Sequence, residues 1–297
     1  MTAVVRSVRG GRTYYYLAHT YRWHGKFAKT RRYLGEAVPA NVDDIKLEVE
    51  REAWSQTWFP EFDKIRRGYQ ERLRKLPSEV VERERHDFIL DFTYDTNRIE
   101  GSTLSPDDTS DLIDHGAAPG AKPLSDILET QAHARLAEDL LARPAPFGLS
   151  ELLRWHSSLF KATKPGIAGQ IRDYEVRIRG SKHQPPTALE VRPMLKELLR
   201  WVRRSGKGVH PVELAATFHF RFEFIHPFGD GNGRVGRLAM NVLLAEAGYP
   251  PLNIQYTKRR GYYHALERAS SLSNPGPFTA WFFRRYLTMN RHVARAD

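Results

Sequence analysis

Apolar residues recur along most of the chain at three- and four-residue spacing, the period of a helix with one buried face. Phe88, Phe92 and Ile99 form one such stripe, and Leu124, Ile127, Leu128, Leu136 and Leu140 a second. Leu152, Leu153, Leu159 and Phe160 make a third, with His156 on the same helix as a packed side chain, and residues 189–202 a fourth. Val212, Ala215, Phe218, Phe222 and Ile225 follow Pro211, which suits a first helical turn because its missing N–H would go unpaired there anyway. Val235, Leu238, Val242 and Leu243 predict a further helix, closed by Gly248 and Pro250, and residues 278–289 predict the last. Residues 41–76 read as two helices broken near Pro60, and Ser78 is the predicted N-cap of the next.

Two stretches depart from this period. Residues 13–21 and 26–34 are rich in β-branched and aromatic side chains and flank His24-Gly25, which predicts a hairpin. Near residues 170–182, Val176 and Ile178 alternate with Arg177 and Arg179 ahead of a turn at Gly180-Ser181, again a strand signature. The expected fold is mainly α: a helical bundle over residues 78–297 with a β-hairpin inserted, a helical linker over 37–77, and a small β appendage over 1–36.

A chain of 297 residues can bury a substantial core. The absence of cysteine excludes disulfides and thiolate metal sites, and points to a cytoplasmic setting. No apolar run reaches membrane-spanning length, and the N-terminus lacks an apolar signal core. The net charge of +11 favours acidic partners or nucleic acid. Basic residues in 1–36 alternate with Tyr14, Tyr15, Tyr16, Tyr21, Trp23 and Tyr33. That pattern suits a solvated face on a packed hairpin, or a surface that grips nucleic acid by charge and stacking.

The densest chemistry lies in His226-Pro-Phe-Gly-Asp-Gly-Asn-Gly-Arg-Val-Gly-Arg237. Asp230, Gly231, Asn232 and Gly233 favour turns and lead into a helix N-terminus, where unpaired N–H groups and the helix dipole attract anions. Gly231 and Gly233 let a phosphate approach the backbone. Arg234 and Arg237, three apart, share one helix face and offer guanidinium forks to phosphate oxygens. Asp230 offers a hard oxygen ligand to Mg²⁺, and His226 can take a proton near neutral pH. No Gly-Lys-Ser/Thr follows the glycines, so this is not a Walker A loop. A second motif, Thr96-Asn-Arg-Ile-Glu100-Gly101, places Thr96 and Glu100 one helical turn apart, with Gly101 suited to the left-handed cap.

The first motif, H-P-F-x-D-G-N-G-R-x-x-R, resembles the signature of the Fic domain family, and the likeness extends over roughly residues 80–290. The resemblance implies a protein adenylyltransferase, moving AMP from ATP to a Ser, Thr or Tyr hydroxyl of a target protein. Mg²⁺, or Mn²⁺ in its place, is the implied metal. Self-modification and a homo-oligomer are implied partnerships. By the same resemblance Asp230 holds the metal, while Gly231, Asn232, Gly233, Arg234 and Arg237 hold the phosphates and His226 is the base. Thr96, Glu100 and Gly101 match the family's inhibitory motif. Glu100 is then expected to form a bidentate pair with Arg237 and keep it from the ATP γ-phosphate. Residues 170–182 become the flap, with Arg177, Ile178 and Arg179 holding the target segment; Arg172, Arg177 and Arg179 either bind acidic groups on the target or stand as solvated edge charges that discourage aggregation. Tyr262 and Tyr263 are placed near the adenine, although Ser270 stands where many relatives carry Asn. Two alternatives remain open at this point. Glu100 could position a water that hydrolyses AMP from a modified target, with His226 as acid. Or the basic residues 1–36 could make the protein a nucleic-acid-binding regulator.

Overall fold

The computed structural model describes residues 2–23, 26–205 and 208–295. They fall into two compact units, Met1–Lys64 and Ile65–Asp297. The first unit is a three-stranded antiparallel sheet, β1 (Thr2–Arg9), β2 (Arg12–Trp23) and β3 (Lys26–Gly35), in that order, followed by α1 (Val42–Gln56). Sequence reasoning finds β2 and β3 but not β1. The overlooked signal is Gly10-Gly11: both have positive φ, 55° and 76°, as a two-residue hairpin turn with matching twist requires. The His24-Gly25 turn lies outside the described residues. The register sets Thr2 opposite His19 and Leu17 opposite Arg32 on one face. That face lies under α1. The Thr2 hydroxyl donates to Glu50 at 2.5 Å, Arg32 pairs with Glu48 (2.7 Å) and Glu52 (3.1 Å), and Leu17 is fully buried.

Helix α2 (Trp58–Lys75) begins directly after Thr57, so the break precedes Pro60. Pro60 sits in the first turn of α2, where a missing N–H does no harm. Helix α3 (Ser78–Ile99) is capped by Pro77 rather than Ser78, whose hydroxyl donates to Glu79. It stops in a Schellman motif: Ser102 N–H donates to Asn97 O (3.0 Å) and Gly101 N–H to Arg98 O (3.2 Å), with Gly101 at φ 104°. Then come α4 (Pro106–Asp114), α5 (Leu124–Ala142), α6 (Leu149–Phe160), α7 (Ala188–Ser205), α8 (Pro211–Ile225), α9 (Asn232–Glu246), α10 (Arg259–Ser271) and α11 (Gly276–Asn290). The fold is mainly α, as expected.

Helix α9 is the centre of the second unit. Every residue from Asn232 to Leu244 is buried, with α3, α5, α6 and α8 packed around it. Its polar residues Asn232, Arg234, Arg237 and Asn241 therefore lie in the interior, where each needs a partner. Helix α5 is rotated from the leucine stripe. Leu124 is 68% exposed, and the buried face is Ile127, Glu129, Thr130, His133, Ala134 and Ala137. The rotation turns a carboxylate toward α9.

The expected β-hairpin at 170–182 is not a ladder. Val176 and Ile178 are half-buried and Arg177 and Arg179 exposed, so the alternation is present, and a turn closes with Ser181 N–H donating to Ile178 O at 3.2 Å. Side chains meet the backbone instead of a second arm: Glu175 accepts from Ala188 N–H and Glu267 from Lys182 N–H. Among the described residues, no helix is long and apolar enough to cross a membrane.

Candidate active site

Helix α8 delivers the loop. Its C-cap is His226 in the left-handed region, φ 50° and ψ 62°, an unfavourable conformation for a side chain of this size. Arg172 holds it there. The Arg172 guanidinium is buried and donates to the carbonyls of His226 (2.8 Å), Tyr174 (3.0 Å), Pro186 (2.6 Å) and, more weakly, Ile225 (3.4 Å). Its own backbone N–H donates to Pro227 O at 3.0 Å. Arg172 is thus an internal clamp, not the exposed target contact expected beside Arg177 and Arg179.

The rest of the loop is braced from beneath. Phe228 is fully buried and stacks on His156 with ring centroids 4.0 Å apart. His156 Nδ1 accepts from Gly169 N–H, so its Nε2 carries the hydrogen and donates to Asp230 O at 3.0 Å. Asn232 engages both ends of its amide with the Phe228 backbone, at 2.8 Å each. Its side chain therefore shapes the loop, and what it can offer an anion is its backbone N–H. Gly231, the N-cap of α9, has φ 76° and sits against Phe160, whose ring a Cβ would strike.

Four charges converge on the first turn of α9. Arg234 is buried, ion-paired with Glu129, 3.6 Å from Asp230, and stacked 4.5 Å over the Phe160 ring. Lys164 reaches both Glu129 and Asp230 at 2.8 Å. Burial alone would raise the Asp230 carboxyl, but the Lys164 hydrogen bond and Arg234 hold it below the usual range. Burial would likewise raise Glu129, and Arg234 and Lys164 outweigh it. Both carboxylates are ionised. They line a polar cleft of about 140 Å³ together with Glu100, Lys164 and Arg234. Sequence reasoning missed Glu129 and Lys164, because they come from α5 and from just after α6 and belong to no contiguous motif.

Arg237 lies one turn further in and is fully buried. Its Nη2 donates to Glu100 Oε1 at 2.6 Å and to Thr96 O at 3.3 Å, its Nε to the Thr96 hydroxyl at 3.2 Å, and its Nη1 to the Tyr262 hydroxyl at 3.5 Å. The expected Glu100–Arg237 pair is present but rests on one carboxylate oxygen rather than two. Thr96 and Tyr262 occupy the other donors of the fork. A Cβ on Gly233 would collide with the Glu100 carboxylate and the Arg237 guanidinium, so a larger residue would have to displace the pair from this position. Glu223, close by, is pushed up to about 8 by burial, against the pull of Arg237.

His226 is lowered to about 4, chiefly by burial. Its imidazole is neutral at physiological pH and free to accept a proton. The two tyrosines differ from expectation. Tyr262 is 1% exposed, its hydroxyl bonded to His219 at 2.8 Å and its ring packed against Phe278 and Trp281, so it offers no open face to a base. Tyr263 is 47% exposed, and its hydroxyl donates to Ile99 O, the end of α3, at 3.0 Å.

The loop, its supporting helices α6 to α8 and most of α9 coincide with residues 146–244, which match the Fic/DOC family. Over these residues the chain is similar to a Fic/DOC domain. The chain is 30% identical over 197 residues to the protein adenylyltransferase Fic of Drosophila ananassae, a match covering 65% of this chain and 39% of that protein. It is 29% identical over 182 residues to the protein of the same name from Nematostella vectensis, covering 60% and 42%. The chain therefore spans about two fifths of the length of these curated relatives. A Fic-domain-containing signaling protein from Bacteroides thetaiotaomicron shares the fold at TM-score 0.70 and 24% identity, over 80% of this chain and 96% of that one. Fic-1 of C. elegans (residues 134–508) does so at 0.69 and 23%, over 87% and 78%. The matched residues end within α9, and Glu100 and Glu129 lie outside them, supplied by helices that precede the match.

Proposed function

We propose that this protein is an adenylyltransferase that moves AMP from ATP to a Ser, Thr or Tyr hydroxyl of a target protein, and that Glu100 restrains it. The observation that carries the reading is the single depth of the α9 N-terminus. A neutral imidazole, an ionised aspartate and two buried arginines surround one anion-binding helix end. In the reaction His226 takes the proton of the target hydroxyl. The oxygen attacks the α-phosphorus, the bond from that phosphorus to the bridging oxygen breaks, and pyrophosphate leaves. Arg234 and the backbone N–H groups of 231–233 bind the inner phosphates. Arg237 binds the terminal one once Glu100 has moved. Most of the gain comes from positioning and charge stabilisation.

The donor set suits Mg²⁺. A single aspartate, with phosphate oxygens completing the shell, is the usual protein share of a nucleotide-bound magnesium, and no cluster of three ligating side chains is found among the described residues. Asp230 would hold the ion, with Glu129 across the cleft, and the ion would neutralise phosphate charge. The Asp230 oxygen that faces Lys164 at 2.8 Å is the one such an ion would compete for. The exposed Arg177 and Arg179, with the half-buried Ile178 between them, would hold the target.

The test is labelling of proteins with ATP radiolabelled on the α-phosphate, comparing wild type with Glu100→Gly. The variant should label its targets, or itself, well above wild type. Equal labelling would sink the restraint by Glu100, and no labelling together with no ATP binding would sink the transfer reading. Release of free AMP from a labelled target by wild type, lost in Glu100→Gly, would favour hydrolysis over transfer.

A further inference from the structure

The sheet of the first unit has two faces, and α1 covers one. By register the other carries Tyr14, Tyr16 and Tyr33, with Arg12, Lys29 and Arg31 around them. Tyr33 is 55% exposed, with its ring centroid 5.3 Å from Tyr16 and 6.3 Å from Tyr14. Lys29 and Arg31 lie on the edge strand, opposite Thr20 and Ala18. No acidic residue lies on any of the three strands. The nearest carboxylate, Glu36, stands 3.9 Å from Arg12 with both side chains largely in water, a pairing a phosphate can displace.

The sheet is uniformly basic. Residues 1–35 hold eight of the 46 Lys and Arg and none of the 35 Asp and Glu, so they carry +8 of the total +11. Residues 36–64 carry three Lys and Arg against eight Asp and Glu, −5, and residues 65–297 carry 35 against 27, +8. What sets the sheet apart is that its cations have no acidic residue among them. We infer that the outer face of this sheet binds a single-stranded nucleic acid, with bases stacked on the tyrosines and phosphates on Arg12, Lys29 and Arg31. The exposed Tyr33 and the half-buried Tyr14 and Tyr16 can stack on any base through its π-face, so the recognition is tolerant of sequence. An acidic protein segment would be served by the cations but would leave the tyrosine cluster without a role.

The full chain should be titrated by fluorescence anisotropy with a labelled single-stranded DNA, a single-stranded RNA and a DNA duplex, at several salt concentrations. At least one single strand should bind more tightly than the duplex, with affinity falling as salt rises. Lys29→Ala with Arg31→Ala should flatten the slope of log affinity against log salt by about 1.4, from two phosphates at about 0.7 each. Tyr16→Ala with Tyr33→Ala should weaken binding tenfold or more at unchanged slope. Thermal melts identify any variant that fails to fold, and ultraviolet crosslinking of the wild type should mark peptides from β2 and β3. The inference is overturned by absent or salt-independent binding of both single strands, by preference for the duplex, by undiminished binding in both variants, or by binding to phosphatidylserine vesicles alone.

Discussion

Replacing Arg172 with Gln tests whether the clamp beneath His226 matters. The guanidinium serves three close carbonyl acceptors at 2.6–3.0 Å and a fourth at 3.4 Å, from a site only 3% exposed. A buried acceptor left unpaired costs about 1–3 kcal/mol, so three of them set a floor of roughly 3 kcal/mol on the stability lost. The catalytic loss is separate. His226 would no longer be held at φ 50°, and a shift of about 1 Å at a reacting group can cost on the order of 10²-fold in rate. Urea unfolding measures the first effect. Initial AMP-transfer rates in a Glu100→Gly background, normalised to folded protein, measure the second. Arg172→Lys is the control: it keeps the charge but loses the planar fork, and should recover only part of either loss. A Gln variant that loses less than 1 kcal/mol, or a Lys variant indistinguishable from wild type, would refute the reasoning.

Gly231→Ala should destabilise by about 1–3 kcal/mol, from a strained positive φ and a forced shift of Phe160, as read by thermal or urea unfolding. His226→Ala should lower transfer on the order of 10²–10⁴-fold without weakening ATP binding, which calorimetry can follow separately. Because burial lowers His226 to about 4, rates should show no inflection near pH 6.5, and a pH–rate profile with such a step would contradict a neutral buried base. Stability should behave differently. His133 and His219 are lowered to about 3 and His156 to about 4, all by burial and all fully buried. Their unfolded forms take up protons below pH 6.5 while the folded forms do not. Stability is therefore full above that pH and falls on acidification toward the folded values, by roughly 2 kcal/mol per imidazole at pH 5. Melting temperatures that stay level from pH 7 to 5 would count against it.

The 226–237 loop could be read from the chain because its parts are contiguous: one turn sequence leads straight into one helix, so sequence order is spatial order. The same holds for Thr96 to Gly101, whose helix end and cap are local events. What could not be read comes from elsewhere in the chain. Glu129 pairs with Arg234 across 105 positions, and Arg172 clamps His226 across 54. The leucine pattern of α5 pointed to the wrong face because packing on a polar α9 turned Glu129, Thr130 and His133 inward. Strand β1 was announced only by its glycine turn. At 170–182 the alternation was real, but side-chain acceptors took the place of a second arm. Tyr262, placed near the adenine by the resemblance alone, is a buried side chain bonded to His219, a partner 43 positions away.

The absence of a side chain at position 233 has a consequence of its own. The volume a methyl group would fill is where the Glu100 carboxylate meets the Arg237 guanidinium. On the proposed function, the carboxylate and an incoming phosphate would contend for that one hollow. A side chain at position 233 would push Glu100 and Arg237 apart, and so would act on the brake from the opposite side of the ion pair.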